Sequence, residues 1–253
     1  MKQYLPWINI GTALVALAVN LLATTLPLNG QTTAAISDKF QVLFVPAGYV
    51  FAIWGIIYVG WMAFAVYQAL PAQRANPRLQ RISWLFALAN IANAAWLFTW
   101  HFELFPLSAI VMLSLLALLI AIYWRLNIGR VQVSAREKWL VDLPFGIYLG
   151  WISVATIANI SDLLYYWHWD GFGISPELWA VIMLVIAAAI ALAMALTRAE
   201  VAYLLVIVWA FVGIAVKQSA TPMVANTALV MAALVVLMIP FGLWRRRNNR
   251  MRI

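Results

Sequence analysis

Apolar runs close to twenty residues long alternate with short polar breaks along all 253 residues of this chain. A helix rises 1.5 Å per residue, so roughly 20 apolar residues cross the hydrocarbon core of a bilayer. On that pattern the sequence predicts helices over about residues 5–27, 46–70, 82–103, 106–126, 139–163, 177–197, 200–217 and 227–244, the seventh being short. The expected fold class is all-α, a polytopic transmembrane bundle of about eight helices.

Three of these runs carry polar and aromatic groups that lipid cannot satisfy. They are Pro46-Ala-Gly-Tyr49-Val-Phe51-Ala-Ile-Trp54-Gly-Ile-Ile-Tyr58, Asn93-Ala-Ala-Trp96-Leu-Phe98-Thr-Trp100 and Tyr148-Leu-Gly-Trp151-Ile-Ser-Val-Ala155-Thr-Ile-Ala-Asn159. Within each helix the groups share a face, at spacings of three and four residues. At 1.5 Å per residue, Trp54 lies roughly 12 Å, Trp96 about 10 Å, Asn93 about 15 Å, Trp151 roughly 18 Å and Asn159 roughly 6 Å below one membrane face. Two readings fit. The groups line a pocket for a flat, mostly apolar ligand, or they knit helices together, asparagine being an interhelical hydrogen-bonder.

Composition narrows the class. The chain is 66% hydrophobic and 9% charged, where a soluble domain carries roughly a quarter charged residues. The net charge of +8 does not point to nucleic acid, because the charges sit in short loops and one tail. With eight spans and a cytoplasmic N-terminus, Lys2, Arg74, Arg78, Arg81, Arg125, Arg130, Arg136, Lys138, Arg198 and the five arginines from Arg245 to Arg252 share one side. The other side receives Lys39 and Lys217, with Asp38, Glu103, Asp162, Asp170 and Glu177. This asymmetry predicts a multi-pass protein with both termini cytoplasmic, in the plasma (inner) membrane of a bacterium. The first apolar stretch exceeds a signal core and ends without a small-x-small site, so that helix is expected to stay. The Arg245–Arg252 cluster reads as an anchor at the membrane face.

There are 14 tryptophans. Trp7, Trp84, Trp124, Trp139 and Trp244 near one set of helix ends, and Trp100, Trp167, Trp169 and Trp179 near the other, match an interfacial aromatic belt. Trp54, Trp96, Trp151 and Trp209 fall well inside their helices. Gly146 and Gly150, spaced as small-x-x-x-small, would let a neighbouring helix approach. Asp142 opens the fifth helix and suits either a cap or a proton or ion role. The chain has no cysteine, and only His101 and His168, so no metal site is expected.

The Pro…Phe…Trp…Tyr run of the second helix, the Asn-x-x-Trp of the third and the Tyr-x-x-Trp-x-x-x-Ala-x-x-x-Asn of the fifth resemble the tryptophan-rich sensory protein family, the TspO or peripheral benzodiazepine receptor family. The resemblance covers about residues 1–168, with Ile147 where members usually have proline and Gly55 where they often have threonine. It implies a five-helix membrane domain over residues 1–168, followed here by an additional three-helix segment over 169–253 that ends in the basic tail. It implies a binding site for porphyrins, or in animal members sterols and drug-like molecules, opening at the loop between the first two helices. Carried over by motif, the ligand-binding residues are Pro46, Phe51, Trp54, Tyr58, Asn93, Trp96, Tyr148, Trp151, Ala155 and Asn159, with Gly30–Phe44 as the lid. No cofactor is required; a porphyrin or haem would be a ligand, with His101 as a conceivable axial group. The expected partners are a porphyrin-like or other hydrophobic small molecule, membrane lipids and a second copy of the chain as a homo-oligomer.

The function expected on these grounds is non-enzymatic binding for sensing, handling or transport. The alternatives are a secondary transporter or permease for a small apolar solute, and a light-dependent porphyrin-degrading activity. The added helices carry few polar groups and are expected to buttress the bundle or to cover a dimer surface.

Overall fold

Long helices carry nearly the whole chain. They are α1 (Leu5–Thr25), α2 (Ile53–Ala69), α3 (Ser83–His101), α4 (Phe105–Arg125), α5 (Leu143–Tyr166), α6 (Pro176–Arg198), α7 (Val201–Lys217) and α8 (Pro222–Arg250). The computed structural model describes residues 4–26 and 28–250, with side chains as far as Arg245, so Lys2 and the arginines of the tail beyond Arg245 lie outside the described side chains. Among the described residues six helical stretches are long and apolar enough to cross a membrane by length and composition. The two other long helices are α3, diluted by Asn90 and Asn93, and α7, which has 17 residues. The protein is an integral, multi-pass, all-α membrane protein.

Local chemistry sets the helix ends. A proline stands in the first positions of α1, α4 and α6, where its missing N–H costs nothing. The Ser175 hydroxyl accepts from the Leu178 N–H to cap α6, and Glu200 caps α7 by accepting from Ala202. The eighth helix begins at Pro222, five residues before the apolar run suggests, because Pro222 starts it and the polar Asn226 and Thr227 lie inside. The second span begins with a 3₁₀ turn, Gly48–Ala52, before the α-helix proper. The fifth begins earlier than expected, running helically from Ala135 through a π turn at Lys138–Asp142 just ahead of Pro144, which cannot donate to the helical ladder.

The packing has two parts. Helices α1, α3, α4, α5 and α2 form a closed ring, each touching the next, with α2 also against α1. Outside it, α8 packs between α6 and α7, and α7 lies along α5. The glycine pair of α5 marks that seam. A Cβ on Gly150 would stand 3.0 Å from Val206 Cβ and 3.2 Å from the Tyr203 carbonyl oxygen; one on Gly146 would meet Ala202 Cβ at 3.3 Å. The helix whose approach those glycines permit is therefore α7 of the same chain.

The basic loops meet at one end of the bundle. Arg78 donates to the Leu126 carbonyl at 3.0 Å, Arg125 to the Arg81 carbonyl at 3.1 Å and Arg198 to the Ile128 carbonyl at 3.2 Å. Asp142 is in the same group, 2.5 Å from the Arg78 guanidinium and buried. Its partner is a neighbouring loop, and its side chain makes no cap to the helix it precedes. Trp7, Trp84, Trp124, Trp139 and Trp244 are all well exposed around this end, and Trp167 at the other.

Candidate functional site

The interior of the ring is built from flat rings that stack on one another. Trp100, Trp96, Trp54, Tyr58 and Trp61 form a ladder of near-parallel neighbours, with centroids 5.7–6.4 Å apart and planes within 24°. The ladder uses α3 twice and α2 three times, because i+4 spacing brings Trp54 over Tyr58 and Trp96 over Trp100. Rings from α5 close it edge-on: Trp151 meets Trp54 at 83°, and Tyr148 meets Trp61 at 60°. Phe51 stands edge-on to Trp151 at 5.6 Å.

A cavity of about 30 Å³ remains at the lid end of this stack. That is room for a water molecule or two, against the 300–1,000 Å³ or so of a drug-sized site. Seven of the ten residues expected to bind ligand line it: Pro46, Phe51, Trp54, Trp96, Trp151, Ala155 and Asn159. The other three, Tyr58, Asn93 and Tyr148, lie one layer deeper and hold the floor. Tyr58 donates to Asn20 Oδ1 at 2.5 Å, and the Asn20 amide donates to Asn93 Oδ1 at 2.7 Å. Tyr148 is buried against Trp54 and Trp61.

Several groups of the site escape motif reading. Asn20 of α1 is the hub of the floor and is 1% exposed. Its signal was the α1 face Asn9, Ala13, Ala16, Asn20 and Ala23, small or polar residues at spacings of four and three, all buried. Further along the same face Asn9 donates to both Gln68 and Ser83 at 2.9 Å, and Asn90 donates to Thr12 at 3.0 Å. Trp100, expected in the interfacial belt, is 3% exposed, lines the cavity and donates to the Thr33 carbonyl at 3.2 Å. The segment between α1 and α2 folds over this end, so a tryptophan near a helix terminus is covered by protein. Asp162, read as an outer-side charge, is 1% exposed and lines the cavity. It continues the face of Trp151, Ala155 and Asn159, one turn beyond Asn159.

Polar atoms inside the cavity wall are left over. The indole N–H groups of Trp96 and Trp151, Asn159 Oδ1 and Asp162 Oδ1 are buried and have no hydrogen-bond partner among the described residues. The Asn159 amide nitrogen is taken, donating to Ser108 at 3.0 Å. Unmet donors and acceptors in an apolar interior cost free energy, so they mark a surface that a polar ligand atom or a water would satisfy.

The lid is tied down at its rim. Its short helix, Thr33–Ser37, supplies Thr33 and Ser37 to the cavity wall. Asn29 donates to the His101 carbonyl at 3.0 Å, Gln31 donates to Glu103 at 3.0 Å, and Lys39 forms an ion pair with Glu103. These hydrogen bonds, first from Lys39 and then from Gln31, hold the Glu103 carboxyl below its usual range. Asp38 pairs with Lys217 of α7 at 2.5 Å. Phe40 wedges against Phe105 at 5.0 Å, Tyr165 at 6.1 Å and Trp100 at 6.4 Å. Of the outer helices α7 thus touches the lid and the start of α2, where Trp209 donates to the Val50 carbonyl at 3.1 Å, yet no residue of α6–α8 lines the cavity.

His101 is fully buried, its Nδ1 2.8 Å from the Leu97 carbonyl, and does not line the cavity. Among the described residues no three His, Asp or Glu side chains converge as a metal site would require.

Neither a curated protein nor a solved structure matches this chain. The sequence profile of one family, described as TSPO-like protein, matches residues 6–241. The match takes in the ring with its aromatic interior and nearly all of the outer helices, and by it the chain belongs to the TSPO-like protein family.

Proposed function

We propose that this protein binds a flat, largely apolar small molecule, porphyrin-like in shape, in the aromatic cavity beneath the lid. The observation that carries the reading is the convergence of Phe51, Trp54, Trp96, Trp100 and Trp151 on one space whose wall retains unpartnered N–H and oxygen atoms. Stacked indoles present faces between which another flat ring can slide, at little cost beyond replacing one aromatic contact by another. The small volume makes the described form a closed one. A ligand enters by lifting the lid and parting the ladder, and it is then held in a site from which lipid and water are excluded.

This function is binding for sensing, handling or transport and not catalysis, in keeping with a family that is generally not enzymatic. The expected orientation puts the basic end in the cytoplasm and the lid outside, because Arg74, Arg78, Arg81, Arg125, Arg130, Arg136, Lys138 and Arg198 all stand in the connections or at the helix ends of one side. The test is a titration of the purified protein with protoporphyrin, read by tryptophan emission. Saturable quenching is expected, and Trp54→Ala, Trp96→Ala and Trp151→Ala should each weaken binding several-fold, since an aromatic contact is worth about 0.5–1.5 kcal/mol beyond burial. Wild-type affinity in all three variants would refute the pocket.

A further inference from the structure

The cavity wall contains one charge-bearing side chain, and it is acidic. Of its lining residues, Asp162 alone is ionisable, and no lysine, arginine or histidine is among them. Asp162 is 1% exposed, and its Oδ1 has no hydrogen-bond partner among the described residues. The charged groups whose field reaches it are Asp38 of the lid and Lys217 of α7, which are 2.5 Å apart and bonded to each other. Lys217 is therefore committed to another carboxylate. One turn earlier on the same helix, Asn159 Oδ1 also lacks a partner, while its amide nitrogen is occupied by Ser108. Two unpartnered acceptors thus face the lid end of a space walled by Phe51, Trp54, Trp96, Trp100 and Trp151 and by Thr33 and Ser37 of the lid, whose donors are all neutral.

We propose that Asp162 makes this pocket selective for flat aromatic ligands that carry a protonated nitrogen at the end facing the lid. The proposal rests on the reading of the cavity as the ligand site. A buried carboxylate without a partner is costly, and a ligand ammonium or ring N–H⁺ removes that cost on arrival. Tryptophan faces add to it, because the negative face of an indole attracts a desolvated cation, and an acid framed by aromatic rings is a recurring way to hold an organic ammonium. Asn159 Oδ1 accepts a second N–H from the same group. The arrangement works against the opposite charge: a ligand carboxylate at this end meets Asp162 and the Asn159 carbonyl with no cation to offset them, only the neutral N–H groups of Trp96 and Trp151. A macrocycle bearing carboxylates would have to direct them away from Asp162, toward the lid opening. Asp162 lies outside the Trp/Asn motif, which ends at Asn159, so the motif alone does not carry this selectivity.

The test uses the full-length protein in a non-ionic detergent and three ligands with the same three fused rings: 9-aminoacridine, which is cationic at neutral pH, anthracene, which is neutral, and anthracene-9-carboxylate. Tryptophan quenching gives the affinity of each. The wild type should bind the cation about tenfold more tightly than the neutral ring and the carboxylate most weakly. Asp162→Asn keeps the shape and removes the charge, and should bring the cation to within about threefold of anthracene while leaving anthracene binding unchanged. Asp162→Glu, which keeps the charge, should retain the preference and guards against a folding defect in the first variant. A wild type that binds cation and neutral ring alike, or an Asp162→Asn variant that keeps the tenfold preference, overturns the proposal and leaves the aromatic pocket standing. Absence of saturable binding for all three ligands overturns the pocket reading itself, and this proposal with it.

Discussion

The ring α1–α5 and the outer layer α6–α8 are both apolar helices, yet they are packed by opposite means. Between α6 and α8 the layer closes mainly on small residues, while α7 buries larger ones such as Tyr203, Ile207 and Phe211. The buried face of α6 is Ala180, Leu184, Ala187, Ala191 and Ala195, and that of α8 includes Val224, Ala225, Ala228, Ala232 and Val235. A Cβ on Gly242 would stand 2.6 Å from the Ala195 carbonyl oxygen, so helix backbones here are nearly in contact. The ring is filled with indoles, phenols and amides. Bulky rings hold helices apart and interleave in more than one way, whereas alanine faces have a single close fit. The difference teaches where a ligand can enter. Space that opens by sliding flat side chains belongs to the ring, and the layer offers a rigid backing against which α5 and the lid are held.

That contrast can be broken at the seam first. Gly150→Leu places a branched side chain where a single Cβ already touches Val206 and the Tyr203 carbonyl. Overpacking of this kind costs about 1–3 kcal/mol, and thermal unfolding in detergent should show the largest loss of any variant named here. An unchanged melting temperature would mean that layer and ring are not rigidly joined. Next is the polar floor. Asn20→Ala leaves the Tyr58 hydroxyl and the Asn93 carbonyl oxygen without their shared partner, and should cost about 1–2 kcal/mol. The matched control in the layer is Thr227→Ala, whose hydroxyl donates only to its own helix at Met223, with an expected change within about 0.5 kcal/mol. Equal losses at the two sites would erase the distinction between a hydrogen-bonded ring and a layer packed on small residues.

The smallest expected effect sharpens the role of the lid. The Glu103 carboxyl is held below its usual range by Lys39 and Gln31, so its contribution is present above the ordinary carboxylate range and is lost as pH falls through the lowered value. The latch is solvent-exposed, so acid should raise the ligand association rate by only about twofold. Stopped-flow tryptophan quenching measures this, and Glu103→Gln should bind at the faster rate at every pH. A pH-dependent rate that survives in Glu103→Gln would place the latch elsewhere, with Asp38 and Lys217 as the remaining ion pair of the lid.

Helix count, helix class and membrane placement were legible in the residues, because a bilayer demands apolar runs of fixed length and satisfies no backbone group outside a helix. The eight predicted helices all appear; the eighth starts earlier than hydropathy suggests because Pro222 opens it, and the fifth starts earlier because a π turn carries the helix past Pro144. The shared faces of α2, α3 and α5 were also legible, since 3.6-residue periodicity fixes which side chains of one helix lie together. Seven of the ten motif residues consequently line one cavity.

Distance between helices carries no such period. That Asn20 of α1 joins Tyr58 to Asn93, that Asp142 answers Arg78 from another loop, and that Gly146 and Gly150 receive α7 of the same chain all depend on which helices become neighbours. So does burial at the lid end. Trp100 and Asp162 stand near helix termini, where the sequence alone places them in an interface or in water, and only the folding of residues 28–45 across that end encloses them. Periodicity along one helix is a local property written in one segment. Enclosure is made by segments far apart in the chain, and in this protein it turns an acid near a helix end into the only ionisable residue lining an aromatic cavity.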